Sequence, residues 1–120
     1  MNHQAHVGQQ GEAFVCVWLQ DQGFQIIAQN YRTRTGEVDI IAMKDELLSF
    51  IEVKTRLNSY FPLQAVITPS KQKRTISAAK HFLLFRGPFE KVCRFDVALV
   101  EQKNGKFEVE YIPDAFRSQG

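Results

Sequence analysis

The stretch SFIEVKTR, residues 49–56, decides the fold, because it combines a pattern typical of an interior β-strand with charged residues inside that pattern. Glu52 and Lys54 stand two residues apart within it, where an interior strand is expected to carry apolar side chains. Side chains alternate between the faces of a sheet, so both charged groups share one face. That face therefore requires a chemical explanation.

The segments on either side predict a meander of three strands. Residues 24–32, FQIIAQNYR, and residues 37–43, EVDIIAM, both favour strands, and the polar residues 33–36 form a turn between them. A short charged segment, residues 44–46, then leads into the strand LLSFIEVK, residues 47–54.

Two helices are predicted by apolar periodicity and by their end signals. The first covers about residues 7–22 and stops at Gly23. The second lies within residues 67–88, where Thr68 suits the N-cap, Pro69 suits the first helical position, and Gly87-Pro88 ends the helix. Its inward stripe is expected to consist of Ile76, Ala79 and Leu83.

Two further strands complete the chain, at residues 93–100 and 106–112, with a turn at residues 103–105. The order is helix, three strands, helix, two strands. The second helix is expected to cross over and place the fourth strand parallel to a neighbour. The sequence thus predicts one α/β domain over residues 1–120, a mixed sheet flanked by helices.

Composition agrees with a small globular domain. The chain has 120 residues, of which 44% are hydrophobic and 23% charged. The N-terminal segment lacks the features of a signal peptide, and no apolar run is long enough to span a bilayer, so we expect a cytoplasmic protein with no membrane role. Cys16 and Cys93 are expected to be buried free thiols rather than a disulfide or metal ligands.

Charge is unevenly distributed along the chain. The net charge is +2, but residues 54–94 hold nine basic residues against Glu90 alone, a local charge of +8. A basic middle beside acidic flanks suits a protein that holds a polyanion near carboxylates. Solvated faces of ordinary surface elements explain the pattern equally well.

A second carboxylate, Asp39, is predicted to meet Glu52. If the turn between the second and third strands has Asp45 and Glu46 as its two central residues, Asp39 lies opposite Glu52, with Cβ atoms about 5 Å apart. A loop one residue longer would rotate the carboxylates to opposite faces. At an effective dielectric constant near 20, two such charges repel by about 3 kcal/mol.

That repulsion needs a positive charge nearby. Lys54 supplies part of it, and a hard, oxygen-preferring cation such as Mg²⁺ or Mn²⁺ supplies more. A divalent cation beside a lysine and a basic surface is suited to the hydrolysis of phosphodiesters. The alternative is a plain ion pair between Glu52 and Lys54 on a solvated sheet face.

Four short motifs carry a family resemblance. In chain order they are GQQGE (residues 8–12), GEVDIIA (36–42), FIEVKTR (50–56) and RFDV (94–97). Together they resemble the bacterial YraN family of small proteins over nearly the whole chain. That family in turn resembles the PD-(D/E)XK nuclease superfamily, in particular the archaeal Holliday-junction resolvases. The resemblance implies a restriction-endonuclease-like αβββαβ core.

The resemblance also implies roles for individual residues. Asp39, Glu52 and the backbone carbonyl of Val53 would hold Mg²⁺ or Mn²⁺, with Glu12 a direct or water-bridged ligand. Lys54 would complete the catalytic set with Asp39 and Glu52, by activating the attacking water or stabilising charge on the phosphate. The chain departs from the motif once, because Val38 stands where the motif has proline.

Basic residues near the motif are the candidates for nucleic-acid contact. Several lie in the first turns of the second helix, where cations oppose the helix dipole, an arrangement that phosphate contact would offset and that solvent exposure also permits. The predicted nucleic-acid-binding residues are Arg56, Lys71, Lys73 and Arg74.

Three other polar residues have competing interpretations. Glu37 is either a further ligand or a polar residue at the start of its strand. Gln64 is a candidate to face the site. Asp96 is expected to pair with Arg94 or serve the structure rather than bind metal.

The resulting hypothesis is a Mg²⁺-dependent endonuclease acting on DNA, with branched DNA as a candidate substrate. Resolvases need two active sites, which implies a homodimer. The alternatives are a non-cleaving nucleic-acid-binding module on the same fold, and a protein-interaction domain.

Overall fold

The computed structural model describes residues 3–57 and 66–118 and has the predicted order of elements. Helix α1 is followed by a three-stranded meander, helix α2 and a final strand pair. The bounds are α1 His3–Asp21, β1 Gln25–Arg32, β2 Glu37–Lys44, β3 Leu47–Leu57, α2 Pro69–Arg86, β4 Val92–Lys103 and β5 Lys106–Phe116.

The strands form one mixed sheet in the order β1-β2-β3-β4-β5. Neighbouring strands are antiparallel except β3 and β4, which are parallel. A parallel neighbour requires a crossover, and α2 lies in that connection. The α/β class, the αβββαβ order and the parallel fourth strand are therefore confirmed.

The turn between β2 and β3 has the predicted length. Lys44 pairs with Leu47, which leaves Asp45 and Glu46 as the two central residues. Asp45 adopts a φ of 52°, a left-handed conformation that aspartate tolerates better than most residues. The register that the site depends on is thus fixed by this turn.

The two helices cover opposite faces of the sheet. Val15 and Leu19 of α1 belong to the same buried cluster as Ile51, while Phe82 of α2 belongs to the cluster of Phe50. Because Phe50 and Ile51 are adjacent on β3, alternate positions of this strand face different helices. Glu52, two positions after Phe50, therefore lies on the α2 face.

The inward stripe of α2 differs from the prediction. Ile76 and Leu83 are only half-buried, whereas Ala79 is buried as expected. The stripe is rotated because Phe82 fills the space against the sheet, with its ring 6.1 Å from that of Phe50. The buried residues of α2 are Thr75, Ala78, Ala79 and Phe82.

The two thiols are free, but only Cys16 is buried. The expectation of a buried Cys93 is wrong, because the first two residues of β4 are exposed. Its first residue, Val92, is 67% exposed. Within the described ranges, no helix is long and apolar enough to cross a membrane.

Candidate active site

The β2–β3 pairing brings Asp39 and Glu52 together on the α2 face. Ile40 pairs with Ile51, and the next position in that antiparallel register aligns Asp39 with Glu52. The backbone N–H of Val53 donates a hydrogen bond of 2.8 Å to Oδ2 of Asp39. This bond holds the Asp39 carboxylate against β3, beside Glu52.

A cleft of about 140 Å³ opens between these strands and the first half of α2. One wall carries acidic groups from β2 and β3, and the other carries basic groups from the helix. The described residues that line it are Glu37, Asp39, Glu52, Lys71, Arg74 and Thr75.

Glu52 forms its ion pair across this cleft with Lys71, at 3.9 Å from Oε1 to Nζ. The expected alternative, a pair between Glu52 and Lys54, is not the one that the structure forms. The second carboxylate oxygen, Oε2, is buried and has no hydrogen-bond partner among the described residues. An unpaired buried carboxylate oxygen is costly, so Glu52 can accept a further positive partner.

Electrostatics confirm that the pair lacks positive charge. Burial first, and the Asp39 carboxylate second, raise the pKa of Glu52 to about 7, while Lys71 opposes both effects. Burial also raises the pKa of Asp39, and the hydrogen bond from Val53 opposes that change. Both shifts are those of a desolvated acid beside a like charge, which is Asp39 for Glu52 and Glu37 for Asp39.

Glu12 lies within electrostatic reach of Asp39. It is half-buried on α1, and its pKa is raised first by burial and then by Asp39, against a hydrogen bond from Asn30. Among the residues the structure describes, no three acidic, histidine or cysteine side chains come close enough to hold a metal ion. The acidic groups that the structure brings together are therefore Asp39 and Glu52, with Glu12 as an acidic neighbour of Asp39.

The oxygen-only chemistry of this pair fits a hard divalent cation. Mg²⁺ is commonly bound by only one or two carboxylates, its other positions being taken by water or phosphate oxygens. The Oε2 of Glu52, which has no partner in residues 3–57 and 66–118, and the raised pKa of Glu52 indicate that a cation would relieve the repulsion between the carboxylates.

Two motif glycines hold the site's elements close together. A Cβ on Gly36 would overlap the backbone carbonyl of Arg74, so α2 rests directly on the chain just before β2. A hydrogen bond between the hydroxyls of Thr35 and Ser77 ties the same elements together. Gly11 similarly lets α1 approach Thr55 of β3, whose hydroxyl a Cβ would overlap.

The remaining predicted residues lie around the cleft rather than in it. Lys54 is exposed, and its charge lowers the pKa of Glu52 less than that of Lys71 does. Arg56 is half-buried and pairs in register with Glu101 of β4. Lys73 is exposed and is not among the residues that line the cleft.

The structure tests the predicted place of Glu37 at the site but not that of Gln64. Glu37 does line the cleft, and it pairs with Arg32 at 3.2 Å on the partly exposed rim. Gln64 lies outside the described residues, so its predicted place at the site stays a prediction.

Asp96 has the expected structural role. It is fully buried and accepts hydrogen bonds from the Arg94 guanidinium, the Tyr111 hydroxyl and the backbone N–H of Asp114. Asp96 is two positions before Ala98, which belongs to the α1-side cluster, so its side chain leaves the sheet on the opposite face from Glu52. It ties β4 to β5 and is not part of the cleft.

Two features of the cleft were absent from the sequence-based prediction. Thr75 lines it and is buried, which its spacing of four residues from Lys71 on a helix could have indicated. The pairing of Glu52 with Lys71 rather than Lys54 had no sequence signal, because it depends on how closely α2 approaches β2.

Comparison with known proteins places the chain in a family. The sequence model of the uncharacterised protein family UPF0102 matches residues 11–100. The chain belongs to the UPF0102 family. This is the YraN family whose motifs the sequence carries.

Curated relatives cover nearly the whole length of the chain. A UPF0102 protein of Prosthecochloris aestuarii is 46% identical over 118 residues, 92% of each chain. One of Chlorobium chlorochromatii is 43% identical over 96% of this chain and 94% of its own. One of Treponema pallidum is 39% identical over 95% of this chain and 94% of its own. The family description gives no activity, so function must be argued from the site.

Proposed function

We propose that the Asp39–Glu52 cleft is the active site of a Mg²⁺-dependent endonuclease that hydrolyses phosphodiester bonds in DNA. The observation that carries the proposal is the half-buried pair of carboxylates facing basic residues across a cleft, in which the buried Oε2 of Glu52 is unpartnered among the described residues. An acidic pair that favours a cation and a basic wall that favours a phosphate are the two requirements of this chemistry.

The acidic wall would hold the metal. Asp39 and Glu52 supply carboxylate oxygens, and the family resemblance adds the backbone carbonyl of Val53 and, directly or through water, Glu12. A bound Mg²⁺ supplies Lewis-acid polarisation of the phosphate and lowers the pKa of a coordinated water. Mn²⁺ has the same preference for oxygen ligands and is expected to substitute.

The basic residues would hold and orient the nucleic acid. Lys71 and Arg74 line the cleft and would contact the phosphate next to the carboxylates. Lys54 on β3 would stabilise charge on the phosphate or orient the attacking water. Arg56 and Lys73, outside the cleft, would contact more distant phosphates.

The resemblance to resolvases supports two finer parts of the proposal. It favours branched DNA, such as a four-way junction, over plain duplex as the substrate. It also favours a homodimer, because cutting a symmetric junction requires two active sites.

A cleavage assay on a panel of substrates tests the proposal. Purified protein is incubated with duplex, single-stranded, flapped and four-way-junction DNA, each with Mg²⁺, with Mn²⁺ and with EDTA. Asp39→Asn is the informative variant, because the amide oxygen can still accept the hydrogen bond from Val53 while the charge is lost. Asp45→Asn, on the exposed β2–β3 turn, is the matched control.

We expect metal-dependent cleavage by wild type and Asp45→Asn, and loss of at least about a hundredfold in rate for Asp39→Asn. Binding without cleavage by the wild type under every condition would favour the non-cleaving nucleic-acid-binding module. Absence of both binding and cleavage at low salt would favour a protein-interaction domain, since phosphate contacts are strongest there.

A further inference from the structure

We propose that Lys71 is an exchangeable counterion: it pairs with Glu52 in the metal-free protein and moves to a nucleic-acid phosphate when a divalent cation binds the carboxylates. This inference rests on the proposed function. Lys71 would have two successive partners, Glu52 and then a phosphate, and this would distinguish its role from that of the other basic residues near the cleft.

The geometry of the ion pair supports an exchange. The distance of 3.9 Å between Nζ of Lys71 and Oε1 of Glu52 is longer than a hydrogen bond, so the contact is electrostatic and loose. The Lys71 side chain is 43% exposed, whereas that of Glu52 is 19% exposed. A flexible ammonium stem that is partly in solvent can leave the half-buried Glu52 carboxylate when a divalent cation takes its place, so that the carboxylate is not left without a positive partner.

Lys71 is also the cation that acts on both members of the acidic pair. It lowers the pKa of Glu52 more than any other basic group does, and it lowers that of Asp39 more than Arg32 does. A divalent cation at these carboxylates would be repelled by the Lys71 ammonium in its present position. The two positive charges therefore compete for the same acidic pair.

The backbone of α2 is fixed, so the exchange requires only side-chain motion. Gly36 packs against the backbone carbonyl of Arg74, and Thr35 hydrogen-bonds Ser77, which attaches this half of the helix to the start of β2. Rotation about the four-carbon stem keeps the Lys71 ammonium at the cleft, next to Arg74. A phosphate there would find two cations on one wall.

Lys73 provides a matched comparison on the same helix. Positions 71, 74 and 75 share one helical face, while position 73 is about 200° away around the axis. Lys73 is accordingly exposed and does not line the cleft. A general effect of helix charge would be the same for both lysines, whereas the exchange involves Lys71 alone.

The exchange predicts effects of opposite sign on two ligands. Replacing Lys71 by methionine removes the competing charge, so the carboxylates should bind a divalent cation more tightly. The same replacement removes a phosphate contact, but only in the cation-bound state, so DNA affinity should fall with a cation present and change little without one. If Lys71 had only a structural role, its replacement would lower the affinity for the divalent cation and the affinity for DNA together.

The experiment measures binding rather than cleavage. Mn²⁺ affinity is obtained for wild type, Lys71→Met and Lys73→Met from the electron paramagnetic resonance signal of free Mn²⁺. Affinity for a fluorescent four-way junction is measured by anisotropy in EDTA and in Ca²⁺, which also takes oxygen ligands. Circular dichroism and thermal melts check that all three proteins are folded.

For Lys71→Met we expect Mn²⁺ to bind at least about threefold tighter, junction affinity in Ca²⁺ to fall by about tenfold, and affinity in EDTA to stay within about twofold of wild type. Lys73→Met should bind Mn²⁺ as wild type does, and any loss of junction affinity should be equal in EDTA and Ca²⁺.

Two results would overturn the exchange while leaving the proposed function intact. One is that Lys71→Met binds Mn²⁺ no more tightly than the wild type, while the wild type itself binds both Mn²⁺ and the junction. The other is an equal loss of junction affinity in EDTA and Ca²⁺, which would make Lys71 a permanent phosphate contact. Failure of the wild type to bind Mn²⁺ at all would reject both proposals together.

Discussion

Replacing Glu52 by glutamine should remove a pH-dependent loss of stability. The pKa of Glu52 is raised from 4.5 to about 7 by burial and by Asp39. The folded state therefore favours the protonated acid more than the unfolded chain does. The stabilisation from protonated Glu52 is fully present below pH 4.5 and is lost as the pH rises to about 7.

The size of the stability change follows from the rise in the pKa of Glu52 from 4.5 to about 7. At roughly 1.4 kcal/mol for each pKa unit, ionised Glu52 lowers the free energy of unfolding by about 3 kcal/mol between pH 4 and pH 8. Glutamine has the same shape and does not ionise, so this part of the pH dependence should disappear. Any constant cost of burying the amide cancels in the difference between the two pH values.

Urea denaturation in EDTA at pH 4 and pH 8 measures the effect. The fall in the free energy of unfolding between these pH values should be smaller for Glu52→Gln than for wild type by about 3 kcal/mol. Glu110→Gln, an exposed substitution on β5, is the control and should retain the wild-type pH dependence. Equal falls in wild type and Glu52→Gln would refute the conclusion that this carboxylate is buried with too little positive charge.

Three other predictions concern packing and burial elsewhere in the fold. Gly11→Ala should lower the free energy of unfolding by about 1–3 kcal/mol, because the added methyl group would overpack against β3. Gly8→Ala should raise it by up to about 1 kcal/mol, because its Cβ would meet open space and alanine favours a helix. Urea denaturation measures both changes. Asp96→Asn should cost about 3 kcal/mol of stability, because the substitution breaks a buried ion pair; a thermal midpoint within a degree of wild type would contradict this role. Cys93 should react with a thiol reagent in the native protein and Cys16 only after denaturation; equal native reaction rates would contradict their assigned burial.

The parts of the fold that were predictable are those set by local chemistry. The two-residue turn at Asp45 and Glu46 fixes the β2–β3 register, and that register alone aligns Asp39 with Glu52. The N-cap is likewise local, since the Thr68 hydroxyl accepts a hydrogen bond from the backbone N–H of Lys71. Strand alternation then determined which side chains share a face.

The parts that were not predictable depend on how distant elements pack. Glu52 pairs with Lys71 because Gly36 lets α2 approach β2 closely, and no local pattern encodes that distance. Cys93 lies in an apolar stretch of sequence, yet it is exposed near the start of β4. Both outcomes depend on the relative positions of helices and sheet, which periodicity does not specify.

The rate of Mg²⁺-dependent cleavage of a labelled four-way junction by wild type and Asp39→Asn tests the central claim most directly. Folding of both proteins is checked by their thermal midpoints. The account predicts cleavage by the wild type that EDTA abolishes, and a rate lower by at least about a hundredfold in Asp39→Asn. Cleavage by Asp39→Asn at the wild-type rate would contradict the claim that this cleft is the catalytic centre.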